Sequence, residues 1–594
     1  MPDQRRSNAI AKVETDVIQK FQGVRQLTVN ELVAHGSASK KFVAGWQFAS
    51  LIPGDNYHLR LLLPDTFPFG RPRVAIDRAP AITWPHLEDG NLLCLAEDND
   101  PHTPENVVAV CAHAIMSGRT LINDCLAAKN FDQLEDEFIS YWQRWAKWDT
   151  AVRSVCRADG PTRTVSAWYG KSFTVVAEDD ASLRSWLERF FGGQMEDRNF
   201  KPRAIPFIWL QSVLQPHQYP TTAGALLRLV ESDMTGRTLV ENLLCDDKID
   251  TKLILLGCRT RRGVGLGAVK ISKPQAGKGT GDPLRKGFRT VPPRSVLLAR
   301  YAAAPAIGGV VVRCDAPWVH GRDNNPDIET LQAKSVVILG VGSVGSPVAT
   351  LLAEAGVGRL HLVDPQSLQS ENTGRHELGA TSVLQMKAPK HAANLGQRFP
   401  HVAVAYDNKR WQDVFRENPT VLASASLIIS TMGDWPSEAE LNATVFEQTD
   451  FPPILYGWTE PHAAAGHAAV FVKRTGCLRC LTDDLGHLRV PVSSWTGITT
   501  KAIPACGGSF QPYGATELAH INALIASVAL DVLLGRVSAS THYTWIGRRK
   551  LLQRGGGTWN PEWIRVHSDP EEGGQIVERL VAVDSECPEC TMKR

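Results

Sequence analysis

Residues 335–356 read SVVILGVGSVGSPVATLLAEAG, and the class of the largest part of the chain follows from that run. The apolar opening fits a buried strand, a Gly-rich turn follows, and small and apolar residues then recur at helical spacing. Gly340, Gly342 and Gly345 have the GxGxxG spacing. The first permits a tight turn, the second lets the backbone approach a phosphate, and the third lets helix pack on strand. A helix beginning there offers free N–H groups and the positive end of its dipole to an anion. The next strand, RLHLVD, ends in Asp364, where a carboxylate would meet a nucleotide ribose. NAD and ATP are both open at this point.

Outward from that run, the chain from about residue 306 alternates strand-like segments (SVVILG, RLHLVD, SLIIST, HAAVFV) with helical ones. That alternation is the mark of an α/β unit with a mostly parallel sheet and crossover helices. Residues 366–395, QSLQSENTGRHELGATSVLQMKAPKHAANL, separate the two nucleotides. A hydride-transferring dehydrogenase has no need of Asn372-x-x-Arg375 followed twelve residues later by Lys387. An adenylating enzyme does, because an amide and two cations must hold a triphosphate while its α-phosphorus is attacked.

On Gly340–Gly345, Asp364, Asn372, Arg375, Lys387 and Asp434 (in STMGDWPSE), the sequence resembles the ubiquitin-activating, ThiF- and MoeB-like superfamily. The resemblance implies a Rossmann-like adenylation domain that takes ATP on the loop, including Ser343. Asp364 would hold the ribose, Asn372, Arg375 and Lys387 the phosphates, and Asp434 a magnesium ion. His376 stands where the family usually has Gln, and Lys390 competes with Lys387 for the lysine role. Arg322, in WVHGRDN, resembles an arginine that reaches the nucleotide in the family, often from the other protomer of a dimer. A surface salt bridge is its alternative.

Two cysteine pairs flank the end of this region, Cys477-Leu-Arg-Cys480 and Cys587-Pro-Glu-Cys590. Two thiolates on each of two tight turns make a tetrahedron suited to structural zinc, and MoeB-like proteins carry such knuckles at matching places. Between them, Cys506 lies in a Pro- and Gly-flanked stretch, TTKAIPACGGSFQPYG, ahead of a long apolar helix. By resemblance Cys506 is the nucleophile that takes the acyl group from the adenylate.

A second resemblance covers residues 57–100. FPFGRPRV followed by Gly90-Asn91-Leu92-Leu93-Cys94-Leu95 is similar to the ubiquitin-conjugating family, and Cys94 matches its acyl-carrying cysteine. Asp98 and Asp100 follow, where they could orient an incoming lysine amine. Where the family has His-Pro-Asn, this chain has Pro85-His86-Leu87, so the oxyanion-stabilising asparagine is absent. His86 either donates in its place or holds the loop.

These readings divide the chain into a ubiquitin-conjugating-like α+β domain (1–150), a middle α+β linker domain (151–305) and the adenylation domain (306–594). The first block ends in a helical, Trp-rich stretch, QLEDEFISYWQRWAKWD. The middle block carries no recognisable chemistry. Its run 259–294, RTRRGVGLGAVKISKPQAGKGTGDPLRKGFRTVPPR, reads as a long solvated loop.

Composition sets the outer limits. The 594 residues are 43% hydrophobic and 21% charged, which is ordinary for globular domains. With 64 basic and 62 acidic residues the net charge is +2, so no nucleic-acid partner is implied. No apolar run long enough to span a membrane and no secretory leader is read, and a cytoplasmic protein is expected. Twelve cysteines are too few for a disulfide scaffold and suit metal or nucleophile roles.

The two halves together resemble the bacterial activating–conjugating fusions of CBASS antiphage operons. The resemblance implies that ATP–Mg2+ adenylates the carboxyl terminus of a partner protein, the operon's CD-NTase. The acyl group would pass to Cys506, then Cys94, then an amine on a protein or small-molecule acceptor, with the enzyme working as a homodimer. An alternative is a MoeB-like enzyme activating a ubiquitin-like or sulfur-carrier protein without a defence role. A non-catalytic scaffold and an NAD oxidoreductase leave more of these residues without purpose.

Overall fold

The computed structural model describes residues 2–591 apart from 38–40, 50–56, 81–82, 96–102, 247–248, 275–282, 448–450, 473–474 and 503–508. Cys506, Asp98 and Asp100 therefore lie outside the described residues.

The amino-terminal part is an antiparallel sheet in chain order: β1 (Val24–Gln26), β2 (Phe42–Phe48), β3 (Leu59–Pro64), β4 (Arg73–Ile76) and β5 (Leu92–Leu93). Period-two alternation sets its two faces. Leu59, Leu61 and Leu63 of β3 join a core with Val13, Cys111, Ile115 and Ile122 from two helices, Pro2–Asp16 and Val107–Leu126. Leu62 points the other way, to Leu27, Leu32, Ala75 and Leu92.

A closed seven-stranded barrel follows. Its strands are β6 (Trp148–Ser154), β7 (Arg163–Tyr169), β8 (Thr174–Ala177), β9 (Arg203–Trp209), β10 (Thr251–Thr260), β11 (Gly263–Ser272) and β12 (Ala306–Arg313). Around the barrel their order is β10-β11-β12-β6-β8-β7-β9. It thus takes in Ala306–Arg313, which the sequence reading gave to the carboxy-terminal region.

The barrel corrects the reading of 259–272 as loop, because those residues are the end of β10, a tight turn and all of β11. The glycines that suggested a loop are docking surfaces for aromatic rings. A Cβ at Gly265 would lie 2.6 Å from the Phe138 ring, and one at Gly267 would lie 2.4 Å from that of Trp142. Both rings come from the helix Phe138–Trp145, whose Trp142 Nε1 donates to the Gly309 carbonyl at 2.9 Å. The Trp-rich helix at the end of the first block is thus packed into the barrel.

The carboxy-terminal part is an eight-stranded sheet in the order β15-β14-β13-β16-β17-β18, then Thr541–Ile546 and Gln575–Leu580. Its strands include β13 (Ser335–Leu339), β14 (Arg359–Val363), β15 (Ala403–Asp407) and β16 (Leu427–Ser430), with β17 (Ile454–Thr459) and β18 (Ala465–Phe471) beyond. Strands β13 to β17 run parallel and the last three pairings are antiparallel, as the mostly parallel reading requires. Continuous apolarity in SVVIL reflects cover on both faces. Val336 and Ile338 meet the helices Gly345–Glu354 and Ala515–Leu533, whereas Val337 and Leu339 face Trp411, Val414 and Leu441. The helix Ala515–Leu533 is long and apolar enough to cross a bilayer, but Ile521, Ile525, Val528 and Ala529 are buried in this core.

Candidate active sites

Adjacent parallel strands β13 and β16 bring the glycine loop and Asp434 to one edge of the sheet, beyond the strands' carboxyl ends. Gly340 takes φ +86°, which a side chain would strain, and donates its N–H to Val363 O at 2.9 Å. Gly345 opens the helix so close to the loop that a Cβ would lie 1.9 Å from Gly340 O. At Gly342 a Cβ would meet nothing within 4 Å, so the outer face of the loop is open. Asp364, 4% exposed, accepts from the N–H of Val341 at 2.7 Å and of Gln366 at 2.8 Å. Its carboxylate thereby ties the end of β14 to the loop.

His376 accounts for its own departure from Gln. Nε2 donates to the Val341 carbonyl at 2.7 Å, and Nδ1 accepts from the Leu378 N–H at 3.0 Å. Neutral imidazole supplies one donor and one acceptor, as a Gln amide does. Burial lowers its pKa and keeps it in that neutral form. His376→Gln is therefore expected to fold and adenylate like wild type. His376→Ala, which orphans two buried backbone groups, should lose about 1–3 kcal/mol of stability. Denaturant unfolding of both variants checks this, and equal losses would contradict it.

Lys387 is the first residue of the helix Lys387–Arg398 and is 6% exposed, its Nζ donating to Gln366 Oε1 at 2.8 Å. Lys390 is exposed on the same helix, so Lys387 is the lysine turned inward. The Arg375 guanidinium lies 4.5 Å over the Tyr513 ring, and the Tyr513 hydroxyl meets Ser343 Oγ at 2.9 Å. Tyr513, which the sequence reading passed over, thus joins the loop to the arginine. Among the described residues both cations hold neutral partners beside an open helix amino terminus. Such an arrangement is completed by an anion, and a triphosphate fits it.

Asn372 accepts from the Gln369 N–H at 3.0 Å, closing the turn that presents Arg375. Asp434 is exposed past the end of β16, its Oδ2 accepting from the Ser437 N–H at 3.3 Å, and an exposed carboxylate there suits a hard cation. Arg322 is exposed in a turn at φ +49°. No contact among the described residues joins its side chain to the glycine loop of its own chain.

The four knuckle cysteines converge. Cys477 Sγ lies 3.9 Å from that of Cys480 and 3.5 Å from that of Cys587, with Cys480 and Cys590 also 3.5 Å apart. A tetrahedron with Zn–S bonds of about 2.3 Å has edges of about 3.8 Å. The Asp584 N–H also points at Cys480 Sγ, at 3.5 Å. The four thiols therefore fit a closed, structural ion.

Cys94 follows β5, and its N–H donates to His86 O at 2.8 Å. His86 sits at φ +56°, a conformation uncommon outside glycine, and its own N–H donates to the Tyr141 hydroxyl at 2.8 Å. Its ring contacts Glu137 Oε1 through Nδ1 at 3.0 Å and Gln133 Oε1 through Nε2 at 2.7 Å, with the Cys94 side chain beside it. Interaction with the Cys94 side chain, and then with the Glu137 carboxylate, pushes the His86 pKa up to about 10. Beside these residues lies a cavity of about 440 Å³, walled also by Arg144, Arg262 of the barrel hairpin and Trp318. Motif reading found Cys94 and His86 but not Glu137, Gln133 or Tyr141, which lie in a stretch it treated only as a packing helix.

Residues 321–546 match the ThiF family, and residues 32–150 match Prokaryotic E2 family B. The chain is 28% identical over 564 residues to the ATP-dependent ubiquitin transferase-like protein Cap2 of Pseudomonas aeruginosa, covering 89% of this chain and 90% of that one. The protein of that name from Vibrio cholerae is 26% identical over 230 residues, 37% of this chain and 38% of the relative. Molybdopterin-synthase adenylyltransferase of Escherichia coli is 27% identical over 162 residues, 27% of this chain and 63% of that enzyme.

Proposed function

We propose a reaction sequence for this chain, which as a fusion of a prokaryotic E2 domain with a ThiF domain is an ATP-dependent adenylating and conjugating enzyme. ATP and magnesium bind at the glycine loop, with Arg375 and Lys387 on the phosphates, Asp364 on the ribose and Asp434 on the metal. The carboxylate of a partner protein's last residue attacks the α-phosphorus and releases pyrophosphate. The acyl group passes from AMP to Cys506, from Cys506 to Cys94, and from Cys94 to an amine on a target. Adenylation gives the carboxyl carbon a usable leaving group, and the two thioesters keep the acyl group activated toward an amine, which is the benefit of covalent catalysis.

The observation that carries this reading is the pairing, in one chain, of two cations that among the described residues are held by neutral groups beside an open glycine loop with a cysteine that shares a cleft with a histidine. The partner we infer is a CD-NTase, and the setting antiphage defence in a reducing cytoplasm. Likeness to the CBASS fusions supports both. Two copies of the chain form the working dimer, and Arg322 serves the partner copy's nucleotide.

The experiment is ATP–pyrophosphate exchange by the full chain with a CD-NTase, intact or lacking its last residues. Exchange that needs the intact tail is the expected result. Exchange that ignores the tail would overturn the assignment.

The four-cysteine cluster holds one structural zinc. Metal analysis should find one ion per chain, lost in Cys587→Ser with a drop in Tm of about 5 °C or more. Unchanged metal content in that variant would refute the site.

A further inference from the structure

We propose that Glu137 is a positioning residue for acyl transfer at Cys94, holding the His86 ring against the sulfur so that Cys94, His86 and Glu137 act as one relay. The proposal rests on the reading of Cys94 as the acyl-carrying cysteine. It adds to that reading residues outside the motif by which Cys94 was identified.

The His86 ring is held at both nitrogens. Both ring nitrogens face oxygen acceptors, a carboxylate at 3.0 Å and an amide oxygen at 2.7 Å. An imidazole between two acceptors is satisfied only with a proton on each nitrogen. The ring then lies beside the sulfur as a cation. Glu137 is fixed in turn, because the Tyr141 hydroxyl donates to its Oε2 at 3.1 Å while accepting from the His86 N–H. His86, Tyr141 and Glu137 thus form a hydrogen-bonded ring, which maintains the uncommon His86 backbone conformation. A strained conformation held this firmly beside a nucleophile marks a working position.

Glu137 owes its place to the barrel. It lies at the break between the short helices Gln133–Asp136 and Phe138–Trp145. The second helix is pinned by Phe138 and Trp142 seated on Gly265 and Gly267 of β11. The middle part of the chain, which carries no motif, therefore sets the position of a carboxylate in the site of the first part. The same hairpin walls the cleft at Cys94 through Arg262.

In acyl uptake, the Cys94 sulfur forms a bond to the donor's carbonyl carbon as the donor's own C–S bond breaks. The Cys94 thiol proton ends on the departing sulfur. In discharge, an amine nitrogen forms the new C–N bond, the C–S bond breaks, and the amine's proton ends on the Cys94 sulfur. The charged His86 ring stabilises whichever sulfur or oxygen carries negative charge in passing. Atoms and electrons balance with no further reagent.

The test loads Cys94 of the full chain directly from a short peptide thioester of mercaptoethanesulfonate, without ATP, and reads the acylated Cys94 peptide by mass. Glu137→Gln is expected to lower the rate constant at saturating thioester about tenfold or more, with half-saturation within about twofold. Glu137→Asp should recover part of that rate. A Glu137→Gln rate equal to wild type, or a loss confined to half-saturation, would overturn the relay. If Glu137→Gln does not reach the wild-type Tm, Tyr141→Phe replaces it. That variant removes the hydroxyl that holds the carboxylate and accepts from the His86 N–H, and a rate within twofold of wild type would equally overturn the relay. Wild type that never loads Cys94 would instead sink the reading of Cys94 as acyl carrier, and the relay with it.

Discussion

Cys94→Ala is expected to abolish conjugate formation, by at least about 10³-fold, while ATP–pyrophosphate exchange continues, because covalent transfer has no substitute once its nucleophile is gone. Neighbouring cysteines cannot stand in. Burial pushes the Cys111 thiol up to about 12 and raises that of Cys125, leaving both as core residues without useful thiolate. Cys94→Ser should behave differently from the alanine variant. Its alkoxyl accepts the acyl group slowly and then keeps it, since an oxyester resists amines that cleave a thioester. Gel and intact-mass analysis after ATP addition would show a thiol-resistant adduct on the serine variant and none on the alanine one. Conjugates made at the wild-type rate by Cys94→Ala would remove the conjugating site from the mechanism.

Lys387→Ala should lower the rate of adenylation about 10²- to 10³-fold, the scale on which a preorganised charge at a developing anion contributes. The reason is local. Lys387 is buried at the start of its helix with only the Gln366 amide as its described partner, which on the proposed reading leaves its charge for the nucleotide. Lys390, three positions on, is exposed, and Lys390→Ala should leave the rate within about twofold. Measuring exchange for both variants settles which lysine serves. Equal effects, or a larger loss at Lys390, would mean that the helix turns its other face to the phosphates.

The candidate adenylation site was more legible in the sequence than the rest for a physical reason. Its glycines, Asp364, Asn372, Arg375, Lys387 and Asp434 lie at fixed offsets from strand ends, and a parallel sheet brings strand ends to one edge. The barrel was hidden because glycine at 265, 267, 308 and 309 serves aromatic packing, a role indistinguishable in composition from loop flexibility. Glu137 was hidden because its partner His86 is fifty-one positions away and the break that aims it has no glycine or proline to mark it. Tyr513 escaped notice likewise: its contacts with Arg375 and Ser343 exist only once the sheet has formed. Cys506 was named from its motif context, and it lies outside the described residues.

Passage of one acyl group through two cysteines is the central claim, and intact mass under non-reducing conditions tests it most directly. The full chain carrying Cys94→Ser, incubated with ATP, magnesium and a CD-NTase, should gain one partner mass that survives added thiol. With Cys506→Ser introduced as well, that adduct should be absent from position 94 and trapped, if anywhere, at 506. An adduct of equal yield at position 94 in the double variant would show that the adenylate reacts there directly, and the relay through Cys506 would be abandoned.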